Sequence, residues 1–393
     1  MKLLEAGLPA PKKGYCDCLI IAGEHSGDQH AADMLREALE QQGDLAVCAL
    51  GGEALEQAGA DLLHDLTSSS VVGIVEVLKH YRYFKDLFEA CLNWIREYSP
   101  DRICFIDYPG FNLRLAKRLV KEGLGSSGGG NIRLLYYISP QVWAWKKKRR
   151  FEMAKYLDEL AVIFPFEKQV FEDTSLSVTY VGHPFARATG RAPVQYRADG
   201  PVLLLPGSRM QAVSRILPCL LDTWSLFLQS HPDAKALILH PGPSIENKIR
   251  ETLAARSDEL NASISVKQAF ADLQEPASAA LTSSGTMSLH VALAGIPGMI
   301  VYRAHPMTYL IGRALISIPY LGIANLLLNQ AAWPEYIQHR ASPAILAKEL
   351  SLCLEDETRI NQTKDDAETL KKLLSQEAET SPADWLLRNG QIP

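Results

Sequence analysis

Asp107 closes the apolar run Arg102-Ile-Cys-Phe-Ile and is followed by Tyr108-Pro-Gly-Phe-Asn112. A carboxylate at the carboxyl end of a buried strand stands where open α/β sheets present their ligands. Partial burial beside Phe105 and Tyr108 would raise its pKa toward a range useful to a general base. The same residue could equally cap the next turn. Three more segments read as strand, loop, helix. The first, Ile20-Ile-Ala-Gly-Glu-His-Ser-Gly-Asp28, offers Glu24, Ser26, Gly27 and Asp28. The second, Leu203-Leu-Leu-Pro-Gly-Ser-Arg-Met210, offers Gly207, Ser208 and Arg209. The third, Ala280-Leu-Thr-Ser-Ser-Gly-Thr-Met287, offers Ser284, Gly285 and Thr286. Unpaired backbone N–H groups at a helix start can hold a phosphate or carboxylate, although each segment also fits an ordinary capped turn. Arg209 sharpens the second. Its fork suits a diphosphate, and the helix dipole disfavours a cation there unless it has a use.

None of these loops is Gly-x-Gly-x-x-Gly or Gly-x-x-x-x-Gly-Lys-Ser/Thr, which disfavours dinucleotide oxidoreductases and P-loop phosphotransferases. His25, Asp28, His30 and Asp33 cluster, but without His-x-x-x-His or His-Glu-x-x-His spacing, so no metal site is expected and Asp28 reads as a helix-start cap. His183, near a strand end, reads as a structural histidine rather than a catalyst. The seven cysteines, mostly inside apolar runs and without Cys-x-x-Cys, fit reduced thiols in a cytosolic protein. With 40 Lys+Arg against 45 Asp+Glu the net charge is −5, so no nucleic-acid partner is expected and any basic site must be local.

Two features look toward a membrane. Residues 71–88 carry Ile74, Val77, Leu78, Tyr81, Phe84 and Phe88 at helical spacing, broadened by Val71, Val72 and Val75 and flanked by Lys79, Arg82 and Lys85. Such an amphipathic helix can lie in a bilayer interface or pack on a core. Trp143-Ala-Trp145 runs into Lys146, Lys147, Lys148, Arg149 and Arg150. Aromatics beside five cations suit anionic headgroups, or form a solvated helix face. Residues 310–333 are apolar but interrupted by Arg313, Pro319, Asn325 and Asn329, which argues against a spanning helix. The first fifteen residues lack a signal peptide's apolar core.

The elements that position these residues alternate. Strands are expected at 16–23, 45–50, 102–107, 132–139, 160–164 and 178–181, then at 201–205, 234–240, 263–267, 279–282 and 298–302. Several are continuously apolar, as strands covered on both faces require. A helix over 29–41 carries Ala31, Met34, Leu35 and Ala38 on one stripe. The Gly-rich 123–130 stretch reads as a flexible surface connection. The class is α/β, with two doubly wound parallel-sheet domains facing a cleft. Residues 1–185 and 186–342 would form these two domains. The charged helices of 343–393 would pack back toward the first.

The chain resembles the lipid-A-disaccharide synthase family, bacterial glycosyltransferases with two Rossmann-like domains (the GT-B architecture). The matching runs include the Ala22–Asp28 loop, Val72-Gly-Ile-Val-Glu-Val77, Ile106-Asp-Tyr-Pro-Gly-Phe-Asn112 and Tyr137-Ile-Ser-Pro-Gln-Val-Trp-Ala-Trp145. Others are Phe164-Pro-Phe-Glu-Lys168, Val181-Gly-His-Pro184, Leu205-Pro-Gly-Ser-Arg209 and Ser284-Gly-Thr286. The resemblance implies transfer of a sugar from UDP-2,3-diacylglucosamine to the 6-hydroxyl of 2,3-diacylglucosamine 1-phosphate, giving a β-1,6 disaccharide phosphate and UDP by a single inverting displacement. Asp107 would be the base. Gly207, Ser208, Arg209, Ser284, Gly285, Thr286, Asn325, Glu335 and Gln338 would hold UDP. Glu24, Ser26, Gly27 and Asp28 would line the acceptor side. Residues 71–88 and the Trp143–Arg150 run would meet acyl chains and an anionic membrane. No cofactor or metal is implied. The expected location is cytoplasmic, peripheral on the inner membrane, with a homodimer left open.

The sequence departs from the family pattern at three places. Gly110 stands where many relatives have Asp, His290 where a ribose-binding Glu is common, and Ala324 where Pro often precedes the Asn. Two other readings fit the residues: a UDP-sugar 2-epimerase of the same architecture, and a non-catalytic, membrane-associated nucleotide-sugar binder.

Overall fold

The computed structural model describes residues 7–67, 81–144, 146–186, 193–269, 274–304, 309 and 318–388. The chain divides into two compact units: Met1–Pro184 with Gln376–Pro393, and Phe185–Ser375.

The first unit is built on seven parallel strands: β1 (Cys18–Ala22), β2 (Val47–Gly51), β3 (Asp61–Asp65), β4 (Arg102–Ile106), β5 (Arg133–Tyr137), β6 (Glu159–Val162) and β7 (Ser177–Tyr180). Their order is β3-β2-β1-β4-β5-β6-β7. Every residue of β1 and β2 is buried, as expected for apolar runs with helices over both faces. Helix His25–Gln41 covers one face with Ala31, Met34, Leu35 and Ala38. A fully buried leucine such as Leu35 contributes about 1.5–3 kcal/mol relative to exposure. The chain order reverses between β1 and β4, and this switch point leaves a crevice at their carboxyl ends.

The second unit repeats the plan. Its strands are β8 (Val194–Tyr196), β9 (Val202–Leu205), β10 (Ala236–His240), β11 (Ile264–Gln268), β12 (Glu275–Ala277), β13 (Ala279–Thr282), β14 (Gly298–Tyr302) and β15 (Glu335–Ile337). Six form a parallel sheet in the order β11-β10-β9-β13-β14-β15, and β8 pairs with β12. Its switch point lies between β9 and β13.

Four strands, β3, β8, β12 and β15, carry too little apolar periodicity to be recognised in sequence. β15 is Glu-Tyr-Ile and half-buried throughout. The amphipathic stretch expected over 71–88 falls partly outside the described residues, which omit 68–80. The described helix is Tyr81–Tyr98, and it turns Leu87, Cys91, Leu92, Trp94 and Ile95 into the core. Phe88 packs on that core too, edge-on to Phe111 at 5.6 Å.

The Gly-rich stretch 123–130 is a set of hydrogen-bonded turns rather than a flexible connection. Gly128 N and Gly130 N both donate to Gly125 O. A Cβ at Gly128 or Gly130 would run into the backbone carbonyls of Val120 or Leu124, so the glycines serve close approach. Near the C-terminus, helices Pro343–Glu355 and Glu357–Leu374 belong to the second unit, while Pro382–Leu387 packs with His25–Gln41 in the first. Trp385 is fully buried there, Arg102 donates to Leu386 O, and Arg133 to Arg388 O.

Candidate functional site

In the first unit the loops after β1 and β4 meet at the switch point. Asp107 follows β4 with φ 41° and Tyr108 has φ 47°, so two successive non-glycine residues are left-handed. Such a backbone persists only where surroundings over-determine it. Here Asp107 N donates to Tyr137 O at 3.1 Å. Its carbonyl accepts from Asn112 Nδ2 at 2.8 Å and from the Tyr136 hydroxyl. Asn112 is fully buried, and the same amide also reaches Ile21 O, tying β1 to β4. Burial pushes the Tyr136 phenol well up, and the Asp107 charge adds to this.

The Asp107 carboxylate is thus carried on a rigid, half-buried turn rather than a loose loop. The Tyr108 ring lies where a side chain at Gly23 would stand, so that glycine is required. Burial raises the Tyr108 phenol to about 12, helped by the charges of Glu24 and Tyr83. Tyr83 in turn bonds His64 at 2.7 Å. Tyr83 and His64 carry no sequence motif, and only the fold brings this pair beside Tyr108 of the Asp107 run.

The residues proposed after β1 separate. Gly27 is buried where helix His25–Gln41 crosses β4, and a Cβ there would meet Ile106 at 3.4 Å. Asp28 does cap a helix start, but not its own helix. That helix begins at His25, and the Asp28 carboxylate instead accepts from Gly52 N at 2.7 Å and Ala54 N at 3.0 Å, at the start of helix Glu53–Gln57. Burial raises its pKa, while those N–H groups pull it down. Glu24, the N-cap of helix His25–Gln41, and Ser26, in its first turn, are half-buried.

In the second unit the loops after β9 and β13 adjoin at the second switch point. Gly207 has φ 112°, and a Cβ there would meet Ser283 Oγ at 3.1 Å. Ser208 and Arg209 are exposed, with Arg209 as the N-cap of helix Met210–Leu228. Gly285 and Thr286 are exposed at the start of helix Thr286–Leu293, beside half-buried Ser284. Two helix starts and a guanidinium therefore share one strand-end region, an arrangement suited to an anion.

Asn325, Glu335 and Gln338 point into the protein. Asn325 is fully buried and bonds both Trp333 N and Trp333 O. Glu335 accepts from Leu321 N, Gly322 N and Asn325 Nδ2. Gln338 bridges Ala304 N and Ala304 O. These three shape the segment around β15 and the turn after β14. His290 lies against Phe185, ring centroids 3.6 Å apart. His183 is buried, with its ring 5.0 Å from that of Phe164.

Of the basic run, Lys146, Lys147 and Lys148 are exposed, whereas Arg149 and Arg150 are half-buried. Arg150 pairs with Asp173 at 2.5 Å, and so is occupied within the protein. Trp143 is half-buried, donating to Glu167 at 3.3 Å. Phe84 is half-buried on its helix. Trp145, Val72, Ile74, Val75, Leu78 and the side chain of Tyr81 lie outside the described residues. Among the described residues no helix is long and apolar enough to cross a membrane, and no group of three or more His, Cys, Asp or Glu could hold a metal. Glu167 escaped the sequence reading. Its signal was a carboxylate just after an apolar strand, within Phe-Pro-Phe-Glu.

A family model described as lipid-A-disaccharide synthetase matches residues 18–387. Lipid-A-disaccharide synthase 1 of Legionella pneumophila (strain Philadelphia 1) is 33% identical over 366 residues, covering 91% of this chain and 93% of that protein. Lipid-A-disaccharide synthase of Geobacter sulfurreducens is 34% identical over 355 residues, 88% of this chain and 90% of that protein. Among solved structures, the glycotransferase of kitacinnamycin superposes with a TM-score of 0.58 at 12% identity, covering 94% of this chain and 97% of that one. A putative UDP-N-acetylglucosamine 2-epimerase from Listeria monocytogenes gives 0.55 at 12% identity, covering 95% of each. At such identities these two speak for the fold alone, the two-Rossmann GT-B architecture. With its motif loops at both switch points and a family match across nearly the whole length, the chain belongs to the lipid-A-disaccharide synthase family of glycosyltransferases.

Proposed function

We propose that Asp107 and Arg209 carry the two halves of this family's reaction, formation of the lipid A disaccharide. The chain is a hexosyltransferase. In this reading the donor is UDP-2,3-diacylglucosamine and the acceptor 2,3-diacylglucosamine 1-phosphate. Asp107 takes the proton from the acceptor 6-hydroxyl as that oxygen attacks the anomeric carbon, and UDP leaves from the opposite face. Charge developing on the diphosphate is met by Arg209 and by the N–H groups at the starts of helices Met210–Leu228 and Thr286–Leu293, donors already in place before reaction. Orientation of two bound substrates supplies much of the remaining rate. Ser208, Ser284, Gly285 and Thr286 complete the UDP hold. Asn325, Glu335 and Gln338 support it by shaping the neighbouring segment.

The observation that carries this reading is that the Asp107 turn and the Arg209 loop each occupy the switch point of their own sheet. Its test is chromatography of products from the purified protein with labelled acceptor and UDP-diacylglucosamine. The expected result is a disaccharide phosphate from the wild type and near-complete loss with Asp107→Asn, UDP binding being retained. Unchanged turnover in that variant removes Asp107 as base.

Both substrates carry acyl chains, so the enzyme works at a lipid surface, here taken as the cytoplasmic face of the inner membrane. The exposed Lys146, Lys147 and Lys148 supply positive charge for anionic headgroups, each worth about 1 kcal/mol near such a surface. Binding to vesicles containing anionic lipid should weaken as salt is raised and on replacing the three lysines by Gln. Salt-insensitive or absent binding returns the run to an ordinary solvated face.

A further inference from the structure

Buried carboxylates normally find a cation or several N–H donors. Glu159 has Arg133, Asp366 accepts from Gln330 and Gln362, and Asp28 caps a helix. Glu167 is 1% exposed, and its bonds go to an indole and to backbone. Oε1 accepts from Trp143 Nε1 at 3.3 Å, and Oε2 from Phe164 N at 3.1 Å. Around it the Trp143 ring lies edge-on to Phe166 at 5.3 Å, Phe166 stacks on Phe164 at 5.7 Å, and His183 lies against Phe164.

Topology makes the position significant. β4, β5 and β6 are neighbours, and Asp107, Trp143 and Glu167 follow them in that order. One carboxyl thus stitches together the loops after β5 and β6, close enough to Asp107 for their charges to interact. We infer that Glu167 is a positioning residue for sugar transfer, fixing the Trp143 loop and the Phe164–Phe166 turn beside Asp107.

The inference rests on the reading of Asp107 as base. Burial pushes the Glu167 carboxyl up to about 8, opposed by its N–H donors and reinforced by the Asp107 charge. Other titratable or charged groups on the surrounding elements are few. Tyr136 on β5 donates to Asp107 O, Arg149 acts on Tyr136, His183 follows β7, and Lys168 on Glu167's own turn pairs with Glu379 at 2.7 Å. At neutral pH Glu167 therefore holds the loops without adding a second negative charge beside Asp107. When it ionises, that charge appears where phosphorylated substrates must be received.

The test is kcat and KM for disaccharide formation from about pH 6 to about pH 10, on the full chain with defined donor and acceptor. Wild type should lose kcat/KM with a midpoint near 8. Glu167→Ala should lose roughly ten- to a hundredfold in kcat, the scale of a misplaced reacting group, with the donor KM little changed. Glu167→Gln keeps an acceptor oxygen and stays neutral. It should restore most of kcat at neutral pH and abolish the alkaline fall. Trp143→Phe removes the donor that favours the ionised form and should move the fall to higher pH. If Glu167→Ala fails to fold, the other two variants carry the test. An alkaline fall unchanged in Glu167→Gln, or full activity in Glu167→Ala, overturns the inference and leaves Asp107 untouched. Turnover surviving in Asp107→Asn ends the base assignment while the Glu167 titration stays readable.

Discussion

At the scale of single residues, the sequence exposed some side chains by type and position and misjudged what others touch. Arg209 stands at a helix start where the dipole disfavours a cation, and the structure leaves it exposed at the strand end. Arg209→Ala should weaken UDP binding by about 1.5–3 kcal/mol, as for loss of a charged hydrogen bond, measured by calorimetry. Unaltered affinity removes the second unit's loop as the diphosphate hold. Asp28 is the counter-example. It lies in a motif loop, yet its carboxylate caps helix Glu53–Gln57 from 24 residues away. Asp28→Ala should therefore cost about 1–3 kcal/mol of stability by denaturant unfolding. A variant as stable as wild type would show the cap to be dispensable. Sequence could not reveal this, because a long-range cap has no spacing rule.

At the scale of elements, the continuous apolar strands were legible, since burial on both faces leaves an unbroken signature. The short half-buried strands were not. Nor was the partner of the Tyr81–Tyr98 stripe, since a helix that packs on a core and one that lies on a bilayer share the same periodicity. The β5 and β6 loops are joined by Glu167, whose folded carboxyl holds its proton more tightly than the ordinary value of 4.5. For a raised folded-state pKa, the stabilisation is full below the unfolded value and is lost as pH rises through about 8. Wild-type stability should accordingly decline between about pH 5 and pH 9 by an amount on the order of 3 to 5 kcal/mol from this group, and Glu167→Gln should lack that component. Thermal melts at a series of pH values measure it. Parallel curves for the two proteins would place the titration elsewhere.

At the scale of the whole molecule, the chain returns to where it began. Helix Pro382–Leu387 packs in the first unit, with Trp385 against Tyr137 at 6.4 Å and the carbonyls of Leu386 and Arg388 accepting from arginines of β4 and β5. Trp385→Ala should destabilise the first unit by about 3–5 kcal/mol, the range for deleting a buried aromatic. Hydrogen exchange should quicken in the strands β1–β7 and stay unchanged in β9–β11. Equal loosening of both sheets would mean the helix serves the molecule generally.

The sequence by itself determined the fold class and the chemistry on offer. Strand-end loops, a lone carboxylate and a diphosphate-suited arginine are local patterns, written in a few adjacent residues. Tertiary structure alone decided which loops become neighbours. Strand order, not chain order, sets β1 beside β4 and β9 beside β13, and it brings Glu167 to the loop of Trp143. Those contacts join residues 24 or more apart, where nothing in the one-dimensional pattern fixes a distance.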